Sequence, residues 1–211
     1  MRTIARIPAR HVALALAAAM LAPFVPATNA AAATGLTFNT VPKLGTLSAV
    51  TLNGKTQTTT TSTTLNDFAV TSSGTNAGWN MTLASATATG DTTGVLKEYC
   101  PNTTCGTDSG PGFISAGYSL PADSLTLNTT GASISGGSGT APAFQCNTSP
   151  FCNVDTTTPS KILSATIAAS LNKWTAAGTS TLTLSTPANL HKLQTGETYR
   201  VNLVWTLNSG P

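Results

Sequence analysis

The closing segment YRVNLVWTLNSGP constrains the fold most, because its side chains alternate in character along the chain. Polar residues occupy the positions between the apolar ones, with Val204 as the exception. This period of two is typical of a β-strand with one buried face. The aromatic side chains either face a core or form a surface that binds a ligand. The apolar series consists of Tyr199, Val201, Leu203, Trp205 and Leu207.

Shorter segments of the same kind recur from Leu36 onward. TLSAVTLNGK ends in Asn53-Gly54, a strong signal for a tight turn between strands. TQTTTTSTTL has a low-complexity composition, but its β-branched residues favour a strand over a linker. DFAVTSSGTNAGWNMTLASATA predicts two strands joined by a loop around residues 73–76. GFISAGYSL and KILSATI continue the series, although PSKILSATIAASLNKW is also weakly compatible with a helix.

The loops between these segments complete the prediction of the fold. They are long, rich in Gly, Pro and Thr, and two of them carry a cysteine pair each. Many short strands separated by such loops are typical of an all-β fold. We therefore predict a single antiparallel β-sandwich, formed as one domain by residues 31–211.

Residues 1–30 have the three-part pattern of a secretory signal peptide. A basic start with Arg2, Arg6 and Arg10 precedes the apolar run VALALAAAMLAPFV and the small-residue segment ATNAAAA. The apolar run is shorter than the roughly 20 residues that a membrane span needs. An uncleaved anchor is the alternative. We expect cleavage after Ala30, export of the protein, and no transmembrane helix in the mature chain.

The charge of the chain argues against nucleic acid as a partner. The leader carries three of the ten basic residues, so residues 31–211 balance seven basic against seven acidic side chains. The formal charge of +3 therefore belongs to the leader, and no basic stripe is left to neutralise a run of phosphates.

The four cysteines form two close pairs in the sequence, Cys100 with Cys105 and Cys146 with Cys152. In an exported protein, this arrangement predicts disulfides. Local pairing within each pair is the preferred connectivity, and the two other connectivities remain open. A zinc site usually has closer cysteine spacing and histidine ligands, and His191 has no such motif around it. We predict no metal and no cofactor.

Two stretches resemble the signature regions of the WxL-domain surface proteins of Gram-positive bacteria. The first is LNDFAVTSSGTNAGWNMTLAS and the second is YRVNLVWTLNSGP. Met81 stands where that family has Leu, and Ser72 stands where Asp is common. The resemblance implies an exported β-rich domain that is held non-covalently to the cell wall through peptidoglycan. The matching residues are Gly78, Trp79, Leu83, Tyr199, Trp205, Thr206, Leu207 and Pro211.

The residues do not suggest an enzyme. A catalytic site needs a base, a nucleophile or a metal with neighbours that tune it, and here the acidic residues are isolated in the sequence. We predict no catalytic residues. One alternative function is a structural or adhesive subunit that assembles with other surface proteins by strand addition. Another is a secreted carbohydrate-acting enzyme whose two carboxylates meet only in the fold.

The three tryptophans have different sequence surroundings. Trp79 alternates with Met81 and Leu83, and Trp205 alternates with the apolar residues of the last strand, so both are expected in the core. Trp174, in LNKWTAAG, lacks such a series and is predicted to lie beside a loop. We therefore expect Trp174 to be the tryptophan that could contact a ligand.

Overall fold

The structure is a computed structural model that describes residues 15–16, 36–42, 44, 46–64, 69–72, 78–145, 151–166 and 171–210. These ranges contain strands and loops but no helix, and thus no helical segment suited to crossing a membrane. The strands are β1 (Ala15–Leu16), β2 (Leu36–Thr40), β3 (Val50–Thr51), β4 (Gln57–Thr64), β5 (Ala69–Ser72), β6 (Trp79–Ala86), β7 (Lys97–Cys100), β8 (Thr104–Cys105), β9 (Asp108–Ser109), β10 (Gly112–Phe113), β11 (Leu125–Asn128), β12 (Ala132–Ser138), β13 (Ala143–Phe144), β14 (Phe151–Asn153), β15 (Ser160–Ala165), β16 (Leu171–Thr186), β17 (Thr198–Arg200) and β18 (Asn202–Ser209).

Two antiparallel sheets form the sandwich. The larger one has the order β14-β11-β16-β5-β2, and β4 and β12 also pair with β16. The long strand β16 accommodates four partners because its first half lies between β12 and β5 and its second half between β11 and β4. The smaller sheet has the order β13-β15-β6-β18. β14 lies close to β15, and β2 lies close to β18, so the two sheets face each other. The predicted all-β sandwich is confirmed.

The core lies between these sheets and follows the alternation of their strands. β6 alternates strictly between buried and half-buried side chains, with Trp79, Met81 and Leu83 fully buried. On the larger sheet, Leu125 and Leu127 of β11 are buried beside Leu182 and Leu184 of β16, their register partners. Side chains between these positions therefore face outward.

Smaller sheets complete the fold. β7 lies between β10 and β17, β8 pairs with β9, and β1 pairs with β3. The sheet β10-β7-β17 continues from the sandwich through the short link at Val201, since β17 and β18 are consecutive in the chain. It positions the charged and aromatic residues that are described below.

The closing segment differs from the single strand that its alternation predicts. The strand is interrupted at Val201, and Tyr199 pairs with Glu98 of β7 whereas Trp205 pairs with Leu83 of β6. Tyr199, Val201 and Trp205 are buried as expected. Leu203 and Leu207 are only half-buried. The alternation persists because both halves face apolar surroundings, although they belong to different sheets.

Several of the shorter predicted elements are confirmed, and one predicted strand is longer than the strand that the structure contains. TQTTTTSTTL contains β4, KILSATI contains all of β15 except Ser160, and the chain turns sharply at Gly54, directly after Asn53. In that turn Gly54 has a φ of 71°, and the Lys55 N–H donates to Asn53 Oδ1 at 3.0 Å. GFISAGYSL, in contrast, contributes only the two residues of β10. The predicted loop around residues 73–76 and the predicted cleavage region lie outside the described residues.

Candidate functional site

The two regions that resemble WxL signatures are hydrogen-bonded neighbours in one sheet. β18 pairs with β6 along its full length and places Trp205 opposite Leu83 and Leu207 opposite Met81. The pairing continues beyond the strands, where the Gly210 N–H donates to the Gly78 carbonyl at 3.0 Å. These regions, about 120 residues apart in sequence, therefore form one structural unit.

Gly78 and two asparagines fix the end of this unit. Gly78 has a φ of 87°, and a Cβ at this position would collide with the Ala165 carbonyl oxygen, so only glycine fits. The Asn80 side chain donates to the Gly210 carbonyl at 2.8 Å, and the Asn208 side chain donates to Asn80 Oδ1 at 3.0 Å. Pro211, the last residue of the motif, lies outside the described residues.

All three indole side chains are buried. Trp79 is 0% exposed, Trp205 is 6% exposed and Trp174 is 3% exposed. The prediction that Trp174 lies exposed beside a loop and contacts a ligand is therefore wrong. It lies within β16, where Gly137 of the neighbouring strand β12 approaches its ring closely. The sequence signal fails because β16, with 16 residues, is nearly three times as long as a usual strand of about 5–6 residues and continues through LNKWTAAG.

The first predicted disulfide is present. Cys100 at the end of β7 is bonded to Cys105 in β8, as the local pairing requires. Cys152 is fully buried and is also disulfide-bonded. Cys146 lies outside the described residues, so the pairing of Cys146 with Cys152 stays a prediction.

A second group of residues, far apart in sequence, meets beside the sheet β10-β7-β17. We call Glu98, Tyr118, His191, Glu197 and Tyr199 the acid–aromatic cluster. The rings of Tyr118 and His191 stack with centroids 3.6 Å apart and an interplanar angle of 14°. Tyr118 is 56% exposed, which makes it the most exposed large apolar side chain of the described residues. The imidazole covers one face of its ring, and more than half of the residue is still open to solvent.

Glu98 holds both members of this stack. Its Oε1 lies 3.0 Å from His191 Nδ1, and its Oε2 accepts the Tyr118 N–H at 2.8 Å. The carboxylate is itself buried, and a Cβ at Gly117 would lie against it, so glycine at 117 leaves room for these contacts. A carboxylate only accepts hydrogen bonds, so Nδ1 carries the hydrogen. Nε2 is then the ring nitrogen left for a further hydrogen bond, on a side chain that is 41% exposed.

Glu197 and Tyr199 lie below the stack and are buried. The Tyr199 hydroxyl donates to the His191 carbonyl at 3.4 Å, and Glu197 Oε2 accepts the Gln194 N–H at 2.7 Å. Burial raises the pKa of Glu197, and the negative charges of Asp108 and Glu98 act in the same direction. Burial and the nearby Glu98 and Glu197 also raise the pKa of Tyr199, which therefore stays protonated.

The cluster presents an aromatic ring face, a phenol hydroxyl and an imidazole nitrogen on a rigid support. Such a combination suits a sugar ring, whose C–H face packs on an aromatic ring while its hydroxyls pair with acceptors. Within the described ranges, no group of three or more His, Cys, Asp or Glu side chains could hold a metal ion. Sequence reasoning missed this cluster because Glu98 and His191 are 93 residues apart and no motif surrounds either one.

Comparison with models of known protein families, with characterised proteins and with solved structures gives no match to this chain. The resemblance to WxL-domain proteins therefore depends on the two motif regions quoted above. The pairing of those regions in one sheet is a finding about this chain alone.

Proposed function

We propose that the chain is an exported bacterial surface protein that attaches non-covalently to the cell wall, with peptidoglycan as its ligand. It acts by binding and not by catalysis. The basic, apolar and small-residue segments of residues 1–30 support export. The disulfide between Cys100 and Cys105 also supports export, since such bonds persist mainly in oxidising compartments.

The exposed stack of Tyr118 on His191 is the observation that carries this proposal. A ring that is half open to solvent usually moves freely, but here Glu98 fixes the Tyr118 backbone and the imidazole together. Ligand binding then requires little ordering of the protein. The alternating sugars of a glycan strand offer the apolar ring faces and hydroxyl groups that this surface suits.

Cosedimentation with purified cell wall tests the proposal. The protein should pellet with intact wall and equally with wall stripped of teichoic acid. Tyr118→Ala should weaken binding by about tenfold, while Tyr118→Phe, which retains the ring, should bind nearly as well as the parent. Lys192→Ala is the matched control, because Lys192 is exposed and follows His191 directly. Failure of the parent to pellet, or loss of binding on removal of teichoic acid, contradicts peptidoglycan as the ligand.

A second candidate function is assembly with other surface proteins, and the edge of β18 favours it. β18 pairs only with β6 among the described strands, and its eight residues contain no proline and no charged side chain. An edge of this kind can accept a further strand. Sedimentation velocity should then show self-association or a complex with a wall protein. Val204→Lys, which places a charge on the edge strand, should abolish it.

A further inference from the structure

The outer face of the larger sheet carries an ordered array of uncharged polar side chains. Thr183 of β16 lies opposite Thr60 of β4 on one side and opposite Thr126 of β11 on the other. Thr126 in turn lies opposite Asn153 of β14. These four residues therefore form one row across four strands. All four point away from the core, because Leu182 and Leu184, the neighbours of Thr183 in sequence, are buried.

A second row runs parallel to the first. Thr181 lies opposite Ser62 on one side and Asn128 on the other, and Asn128 lies opposite Phe151. Phe151 is 46% exposed and ends this row as an open aromatic ring. We call the two rows together the threonine face. Adjacent strands are about 4.8 Å apart and alternate residues along a strand about 6.7 Å apart, so the hydroxyl and amide groups recur at fixed intervals.

The hydroxyl groups of this face are available to a ligand. Threonines that face each other across strands often hydrogen-bond to one another. Here the hydroxyls of Thr60, Ser62, Thr126, Thr181 and Thr183 make no hydrogen bond to any group that the structure describes. Thr60 and Ser62 are exposed, whereas Thr126, Thr181 and Thr183, on the central strands, are half-buried. The protein as described therefore leaves these hydroxyl groups without a partner, while Asn128 Oδ1 accepts the Thr130 N–H at 2.9 Å.

The chemistry of the face selects its ligand class. None of the eight side chains is ionisable, so an anionic polymer finds no counter-charge there. A hydroxyl group both donates and accepts, as does a sugar hydroxyl. A single exposed hydrogen bond contributes little, and a repeating array therefore gains affinity only from a repeating ligand. Phe151 adds a ring face on which a sugar can pack.

We propose that the threonine face is a second binding surface, distinct from the acid–aromatic cluster, and that it binds an uncharged, extended polysaccharide. The ligand lies across the strands and makes the same contacts at successive sugar units. This inference concerns a different sheet and different side chains from the proposed wall-binding site, and the two are separable by experiment.

Retention of the purified protein on insoluble chitin and cellulose tests this assignment, with phosphocellulose as the anionic comparison. The parent should bind the neutral polymers and keep that binding in high salt. Any protein bound to phosphocellulose should elute in high salt. The double variant Thr60→Val with Thr183→Val preserves strand shape and should lower affinity for the neutral polymers about tenfold. Phe151→Ala should weaken binding in the same assay. Thr175→Val, on β16 outside the two rows, is the matched control and should bind as the parent does.

The outcomes separate this inference from the proposed function. Tyr118→Ala should bind the wall about tenfold more weakly and keep chitin binding, and the double valine variant should keep wall binding and bind chitin about tenfold more weakly. A parent protein that pellets with wall but ignores both neutral polymers overturns the threonine face and leaves the wall site intact. If sedimentation velocity shows a dimer that the valine variant dissociates, the face is a contact between two copies and the polysaccharide assignment is wrong.

Discussion

The aromatic side chains of the signature regions and those of the exposed surface differ completely in environment. Trp79 and Trp205 are buried in the sandwich, whereas Tyr118 and Phe151 are half open to solvent. The motif residues therefore hold two strands and two sheets together, and residues outside every motif are free to meet a ligand. In this chain, the two motif regions form one structural unit, and the exposed side chains of the candidate binding surfaces lie outside those regions, although the buried Tyr199 belongs both to a motif region and to the acid–aromatic cluster.

Replacing Trp205 should have the largest effect on the stability of the fold. Trp205→Ala removes a buried indole between β18 and the core, and such changes typically cost about 3–5 kcal/mol. Urea denaturation of the parent and the variant measures this loss. A variant that unfolds at the same urea concentration as the parent would show that the indole is not a core residue.

Trp174 tests whether burial rather than motif membership decides this effect. Trp174 belongs to no signature but is 3% exposed within β16, so Trp174→Ala should cost about 3 kcal/mol or more. The same urea series provides the measurement. Unchanged stability would agree with the exposed position that the sequence suggests and contradict the structure.

A buried carboxylate should make the stability depend on pH. Burial raises the pKa of Asp155 to about 6 from 3.8, since the group is fully enclosed and only the Ser124 and neighbouring N–H groups oppose the shift. The folded state therefore holds this proton more tightly than the unfolded state, and stability falls as pH rises from about 4 to about 6. The loss above this window is about 3 kcal/mol.

Thermal unfolding at a series of pH values checks this dependence. The melting temperature should be higher near pH 4.5 than near pH 7.5. Asp155→Asn cannot ionise and should flatten most of the difference, while Asp123→Asn, which removes only a nearby negative charge that also raises this pKa, should reduce the difference slightly. A melting temperature of the parent that rises with pH through this window would contradict the buried, proton-holding carboxyl group.

The disulfide should have a smaller effect on stability. The bond between Cys100 and Cys105 closes a loop with a sequence separation of only 5, so replacing both residues by Ala should cost about 2 kcal/mol. Because Cys100 ends β7, which also carries Glu98, the double variant should weaken wall binding more than stability alone explains. Equal binding per folded molecule in the two proteins would show that the acid–aromatic cluster does not need this support.

Local sequence patterns predicted much of the fold but little of the candidate sites. Alternation located β6 and β15, because a strand with one buried face leaves a period of two in its own residues, and β-branched composition located β4. The break at Val201 escaped prediction, since the apolar series continues while the strand changes its pairing partner. The contact of Glu98 with His191 depends on how the loop between β16 and β17 packs beside β7, and the rows of the threonine face depend on strand register, and no single segment encodes either.

Wall binding by two folded variants tests the central claim most directly. Trp205→Phe keeps a buried aromatic ring, and Tyr118→Ala changes only an exposed one, so circular dichroism should show both to be folded. In cosedimentation with the same purified wall, Trp205→Phe should bind as the parent does and Tyr118→Ala should bind about tenfold more weakly. The contradicting result is a folded Trp205→Phe that no longer binds the wall, together with a Tyr118→Ala that still binds it. The indole of Trp205 would then be the contact residue, and the assignment of wall binding to the exposed surface would be wrong.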